Sequence, residues 1–167
     1  MEVNNNRHLR KNIKSITYSD LCNTLKSTVN RHKAIEGEII REIEHLFNEY
    51  KKSLFLGGSW QTEKTPRVVI GIPENIPHPI AKMKLNQSLG DDMGIDFLIR
   101  TGISEDPIQT PSAFFDIPLR FIIEDNNYLI YVDNERFTAQ RSKTKAEKYA
   151  NVCEFIKRLL IDKCRGG

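Results

Sequence analysis

The feature that most restricts how this chain can fold is a run of apolar or semi-apolar residues at Leu21, Leu25, Val29, His32, Ile35, Ile39, Ile43, Leu46, Tyr50 and Leu54. Each step is three or four residues, averaging about 3.7, which is the period of an α-helix and not of a strand. Thr17 followed three residues later by Asp20 resembles a capping box at its start. Gly57 and Gly58 close it in the way helices commonly close. A helix of about 37 residues is roughly 55 Å long, whereas a compact chain of this size is about 40 Å across. Either Gly37 breaks the helix in two, or an overhang packs on another chain. The reading adopted is a single long or Gly-bent helix over 17–56 that contributes to self-association.

Beyond Trp60 the pattern changes to short β-type runs: RVVIGI at 67–72, IAKMKL at 80–85 and GIDFLIR at 94–100. FFDIPLRFII at 114–123, YLIYV at 128–132 and ERFTAQ at 135–140 follow, separated by the turn compositions EDNN and DN, and read as an antiparallel meander. Ser142 stands where an N-cap belongs, ahead of a helix expected over 143–164. Long helix, strands, then helix implies an α+β domain over 17–167, with a mostly antiparallel sheet and a C-terminal helix packed on it. Residues 1–16 are Asn-rich and basic without apolar periodicity, so they read as a flexible arm.

No apolar run approaches the roughly 18 residues of a membrane helix. The N-terminus lacks the apolar segment of a secretory signal. Cys22, Cys153 and Cys164 are three, scattered and unsuited to a disulfide framework or zinc site, which points to a reducing, cytoplasmic setting. The net charge of +3 says little, but its distribution says more: 1–15 carries +3, 16–55 zero, 56–134 −5 and 135–167 +5. The basic ends either form a polarised surface or lie on acidic parts of the same chain.

The sequence RFTAQRSKTKAEKYANVC gathers cationic residues at the expected start of the last helix. With Ser142, Lys143, Ala146 and Ala150 at matching positions, 115–161 resembles the C-terminal half of the double-stranded-RNA-binding domain family. That family runs strand, strand, strand, helix, with a Ser-Lys-Lys-x-Ala-Lys-x-x-Ala-Ala motif opening the helix. The resemblance implies that Lys143 contacts phosphate, supplemented by Arg141, Lys145 and Lys148, at a helix N-terminus that itself favours anions. Thr144 and Glu147 replace two of the motif's lysines, and the loop between the first two strands is a tight EDNN turn. The same residues also fit a solvated cationic face on an amphipathic helix, with Ala146 and Ala150 packing on a sheet.

LGDDMGID offers Asp91, Asp92 and Asp96, joined by Asp116 or Glu124 from a neighbouring strand, as carboxylates able to hold a divalent metal for hydrolysis. No Glu-x-Lys of the nuclease kind falls on a strand, and Asp in a Gly-flanked turn also serves local hydrogen bonding. His8, His32, His45 and His78 lack metal-ligand spacing, Ser59 lacks a Gly-x-Ser-x-Gly context, and GGS lacks the Lys-Ser/Thr of a phosphate loop. No cofactor is expected. Three readings follow. The first is a non-catalytic domain binding a polyanion, foremost duplex nucleic acid, through Arg141, Lys143, Lys145 and Lys148. The second is a protein-interaction subunit of a homo- or hetero-oligomer using the long helix. The third is a metal-dependent hydrolase using the acidic cluster at 91–96.

Overall fold

Thr17 and Asp20 make the reciprocal cap that their spacing implies. The Thr17 backbone N–H and hydroxyl both donate to Asp20 Oδ2 at 2.8 Å, and the Asp20 N–H donates to Thr17 Oγ1 at 3.2 Å. From this cap α1 runs over Tyr18–Ser53, unbroken through Gly37. The computed structural model describes residues 15–54, 66–86, 93–141 and 147–166. The arm at 1–14, Ser59 and Trp60, Asp91 and Asp92, and Ser142 to Ala146 lie outside them. The chain divides into two compact units, Met1–Ala34 and Ile35–Gly167.

The second unit is α+β. After α1 come β1 (Val68–Gly71), β2 (Gly94–Ile103), β3 (Ala113–Glu124), β4 (Asn127–Val132), β5 (Glu135–Gln140) and α2 (Ala150–Cys164). The strands form one antiparallel sheet in chain order, β1-β2-β3-β4-β5. Glu124 pairs with Asn127 and Val132 with Glu135, so each connection in the meander has two residues. Asp125 and Asp133, first in each connection, take φ 54° and 55°, the left-handed conformation that matches the twist of a hairpin.

Alternation along the strands sorts residues by face. Ile95, Phe97 and Ile99 of β2, Ile117, Leu119 and Phe121 of β3, and Tyr128, Ile130 and Val132 of β4 join one buried cluster. Ile39, Ile43, Leu46, Phe47 and Tyr50 of α1 and Val152, Cys153, Ile156 and Leu160 of α2 complete it from the helical side. Inside this core Tyr50 Oη and Thr101 Oγ1 form a 2.8 Å hydrogen bond. Burial pushes the Tyr50 phenol up to about 12, and the Thr101 hydroxyl works against that rise. The opposite face carries cross-strand ion pairs: Arg100 to Asp116 at 2.7 and 2.8 Å, and Arg120 to Asp96 at 3.5 Å.

Two expected elements differ. IAKMKL is not a strand: Ile80–Lys82 forms a short 3-10 turn after Pro79, Met83 inserts in the core, and the Leu85 N–H donates to Glu36 Oε2 instead of to a strand. The last helix begins at Ala150 with Tyr149 as its N-cap, not at 143 after Ser142. Glu147 has φ 65°, left-handed backbone that an α-helix excludes, so the chain turns at 147–149 before the helix starts.

Because Ile43 is fully buried in a packed cluster, Ile43→Ala lowers unfolding free energy by about 2–5 kcal/mol. Ile161, half exposed on α2, costs less than about 0.5–1 kcal/mol when changed to Ala. Urea titrations of the two variants measure the contrast.

Candidate functional site

Positions 38, 42 and 49 on α1 are four and seven residues apart, which places three glutamates on one side of the helix. Each meets a group from the C-terminal third of the chain. Glu38 accepts the Tyr128 hydroxyl at 2.8 Å and both Arg141 Nε and Nη2 at 2.6 Å, a two-pronged guanidinium clasp. Arg141 Nη1 also donates to the Asp125 carbonyl at 3.2 Å. Glu42 accepts the Tyr149 hydroxyl and pairs with Lys148 Nζ at 3.4 Å. Glu49 receives the Tyr149 backbone N–H on both oxygens, at 3.0 and 3.1 Å, and lies 3.8 Å from His45 Nε2.

The electrostatics follow from these contacts. Arg141 holds Glu38 below the ordinary carboxylate range, against the opposing effect of partial burial. Burial, then the neighbouring glutamates, raises the Tyr128 and Tyr149 phenols far above theirs, so both remain neutral donors. Lys148 keeps only 7% of its side chain exposed and sits over the Tyr128 ring at 4.4 Å from its centroid. Burial lifts the Cys153 thiol to about 12, which removes it as a nucleophile at neutral pH.

The four cationic residues expected to face a polyanion therefore divide. Arg141 and Lys148 come together on the carboxylates of α1, and Lys143 and Lys145 lie outside the described residues. The start of α2, where an anion is favoured, has the carboxylate of Glu49 on its N-cap amide. A phosphate reaching Arg141 or Lys148 has to displace a carboxylate of the chain itself. The glutamates that matter were hidden in the sequence because 16–55 sums to zero charge. Their 4 and 7 spacing beside the apolar stripe was the available signal.

Asp96 and Asp116, considered for a metal, are engaged instead by Arg120, Asn86 and Arg100, and Arg100 holds Asp116 below the ordinary range. Among the described residues no group of three His, Cys, Asp or Glu side chains is placed to hold a metal ion. A cleft of about 600 Å³ near the start of α2 is lined by His45, Glu49, Lys52, Cys153, Glu154 and Lys157. Several of its groups are engaged: Glu154 pairs with Lys157, and Glu49 accepts the Tyr149 backbone N–H and lies beside His45.

The first unit presents a different surface. Five of the eight exposed large apolar side chains among the described residues fall between 16 and 29. On α1 these are Tyr18, Leu21, Leu25 and Val29, with 82%, 58%, 65% and 41% of their surface exposed. The upstream half of the helical stripe thus remains open, while Ile39, Ile43, Leu46 and Tyr50 of its downstream half are fully buried. No helix in the described residues is long and apolar enough to cross a membrane. Comparison with protein-family models, curated proteins and solved structures finds no match for this chain.

Lys148→Met lowers stability by about 3–5 kcal/mol, because Glu42 is left as a mostly buried carboxylate that keeps the Tyr149 hydroxyl but loses its cation. Adding Glu42→Gln recovers part of that loss, which a double-mutant cycle by urea denaturation measures. A second prediction concerns pH. Glu38 has a folded pKa below its unfolded value, so its contribution is complete above the unfolded pKa, about 4.3, and disappears as pH falls through the folded pKa. Stability declines below about pH 4.3, and Glu38→Gln, less stable at neutral pH, shows a shallower decline in thermal melts over that range.

Proposed function

We propose that this chain is a protein-interaction subunit whose working surface is the upstream half of α1. One observation carries this reading: the apolar stripe Tyr18, Leu21, Leu25 and Val29 stays exposed on a capped helix. Isolated exposed apolar side chains are ordinary, but a helical row of them marks a binding face, in the manner of an amphipathic helix laid against a protein partner. Nothing in the stripe offers chemistry beyond packing, which fits a binding role and not a catalytic one.

Sedimentation velocity tests the reading on the purified full chain and on tagged chain in an extract of its own cells. The wild type is expected above the mass of one copy in at least one setting, and Leu21→Asp/Leu25→Asp at the mass of one copy in both. Because both side chains are exposed, the double variant keeps the core stability of the wild type within about 0.5 kcal/mol per site. Identical masses for the two proteins in both settings contradict the proposal. Binding of duplex RNA or DNA in polarisation assays, steeply weakened by salt and lost in Lys143→Gln/Lys145→Gln, favours the polyanion reading in its place.

A further inference from the structure

The last two turns of α2 border a second cavity in the second unit, of about 400 Å³. Val68 of β1, Ile103 of β2, and Leu160, Ile161 and Cys164 of α2 supply most of its apolar wall. From Lys157 to Cys164 that wall is about 10 Å long at 1.5 Å per residue. The polar members are few. Thr101 shares its hydroxyl with Tyr50, and Ser104 donates to the carbonyls of Asp106 and Gln109 at 2.5 and 3.2 Å. The charged residues on the described lining are Arg67 and Lys157, both cations, and no carboxylate joins them there. Arg67 is only 8% exposed and donates from Nη2 to the Gln109 carbonyl at 2.8 Å, which sets its guanidinium near the Ser104 hydroxyl. Lys157 lines both this cavity and the larger cleft; its ammonium pairs with Glu154 and reaches the Ser53 carbonyl at 3.4 Å.

We propose that this cavity binds a small carboxylic acid with an apolar tail, of the class of a medium-chain fatty acid. A concave, mostly apolar wall with a few convergent polar groups is the usual form of a small-molecule site. The sign of the lining selects the head group. An anion gains from Arg67 and Lys157 without meeting a carboxylate on the described lining, whereas an ammonium meets two like charges. The larger cleft near the start of α2 carries Glu49 and Glu154 together with Lys52 and Lys157, so it selects neither sign. Orientation follows from the helix. α2 ends at Cys164, and a helix C-terminus carries partial negative charge. The head group therefore turns away from that end toward Arg67, whose planar guanidinium suits a carboxylate, and the tail runs along Leu160 and Ile161 toward Cys164. The site lies within the second unit and does not rest on the interaction reading above.

Cys164 reports on the site in the unaltered chain, because it lines the cavity and is exposed, as Cys22 on α1 is, while Cys153 is buried. The full chain is alkylated with N-ethylmaleimide, an uncharged reagent, in the presence of monomeric octanoate, and peptide mass spectrometry separates the rates at the two exposed thiols. Octanoate is expected to slow Cys164 saturably and to leave Cys22 unchanged. Octanol and octylammonium, with the same tail, reach half-protection only at concentrations about tenfold higher or more. Arg67→Gln raises the octanoate concentration for half-protection about tenfold, for the loss of one charge-assisted hydrogen bond. Ile161→Glu, at a half-exposed position, puts a carboxylate on the wall and abolishes protection, and it keeps the test decisive where Arg67→Gln fails to fold. No protection of Cys164 by octanoate overturns the proposal, and so does equal slowing of Cys22, the mark of adsorption to exposed apolar side chains. Equal protection by the three probes overturns the anionic head group. Full protection in Ile161→Glu overturns the site.

Discussion

The second unit depends on the clasp between the downstream half of α1 and the C-terminal third of the chain. Apolar burial supplies the bulk of the driving force: Ile39, Ile43, Leu46 and Tyr50 on one side, Phe121, Ile130, Cys153 and Ile156 on the other. Burial alone does not fix how a helix is rotated on a sheet. Glu38, Glu42 and Glu49 do that work, because each accepts from a different place: the β4 tyrosine with Arg141, Lys148 with the Tyr149 hydroxyl, and the Tyr149 amide. A rotation of α1 about its axis leaves mostly buried charges unmatched, which is costly. The clasp therefore specifies orientation more than it adds net stability.

That arrangement changes what the cationic segment means. Read alone, Arg141 and Lys148 belong to a row of positive charges near a helix start, the arrangement expected of a phosphate-reading surface. Packed on α1, they neutralise carboxylates, and Lys148 lies along an aromatic ring with little exposure. The polar network is internal, and the open apolar surface lies elsewhere, on the upstream half of the same helix. One sequence stripe is thus buried in its downstream half and open in its upstream half.

Much of the fold was legible because it rests on local rules. The capping box at Thr17 and Asp20, the helical period through Gly37, and the two-residue turns at Asp125 and Asp133 each state their conformation within a few residues. The failures were non-local. IAKMKL has strand composition, yet Glu36, some fifty residues away, takes the Leu85 amide and Met83 turns into the core. The start of α2 was misplaced because Glu147 adopts a left-handed conformation that its residue type does not announce. The clasp was invisible for the same reason: pairings such as Glu38 with Arg141 span 103 residues, and the zero net charge of 16–55 concealed them. The open stripe could be seen as a pattern, but its exposure could not, since an identical period continues into the buried half.

We propose that one continuous helix is held by its own chain in its downstream half and meets a protein partner with its upstream half. Amide hydrogen exchange along α1, on purified chain and on tagged chain in an extract of its own cells, addresses both halves in one measurement. The account predicts that amides from Ile39 to Tyr50 are protected to the same degree in both settings, and that in at least one setting amides from Leu21 to His32 are better protected in the wild type than in Leu21→Asp/Leu25→Asp. Equal exchange from Leu21 to His32 in the two proteins in both settings would contradict it.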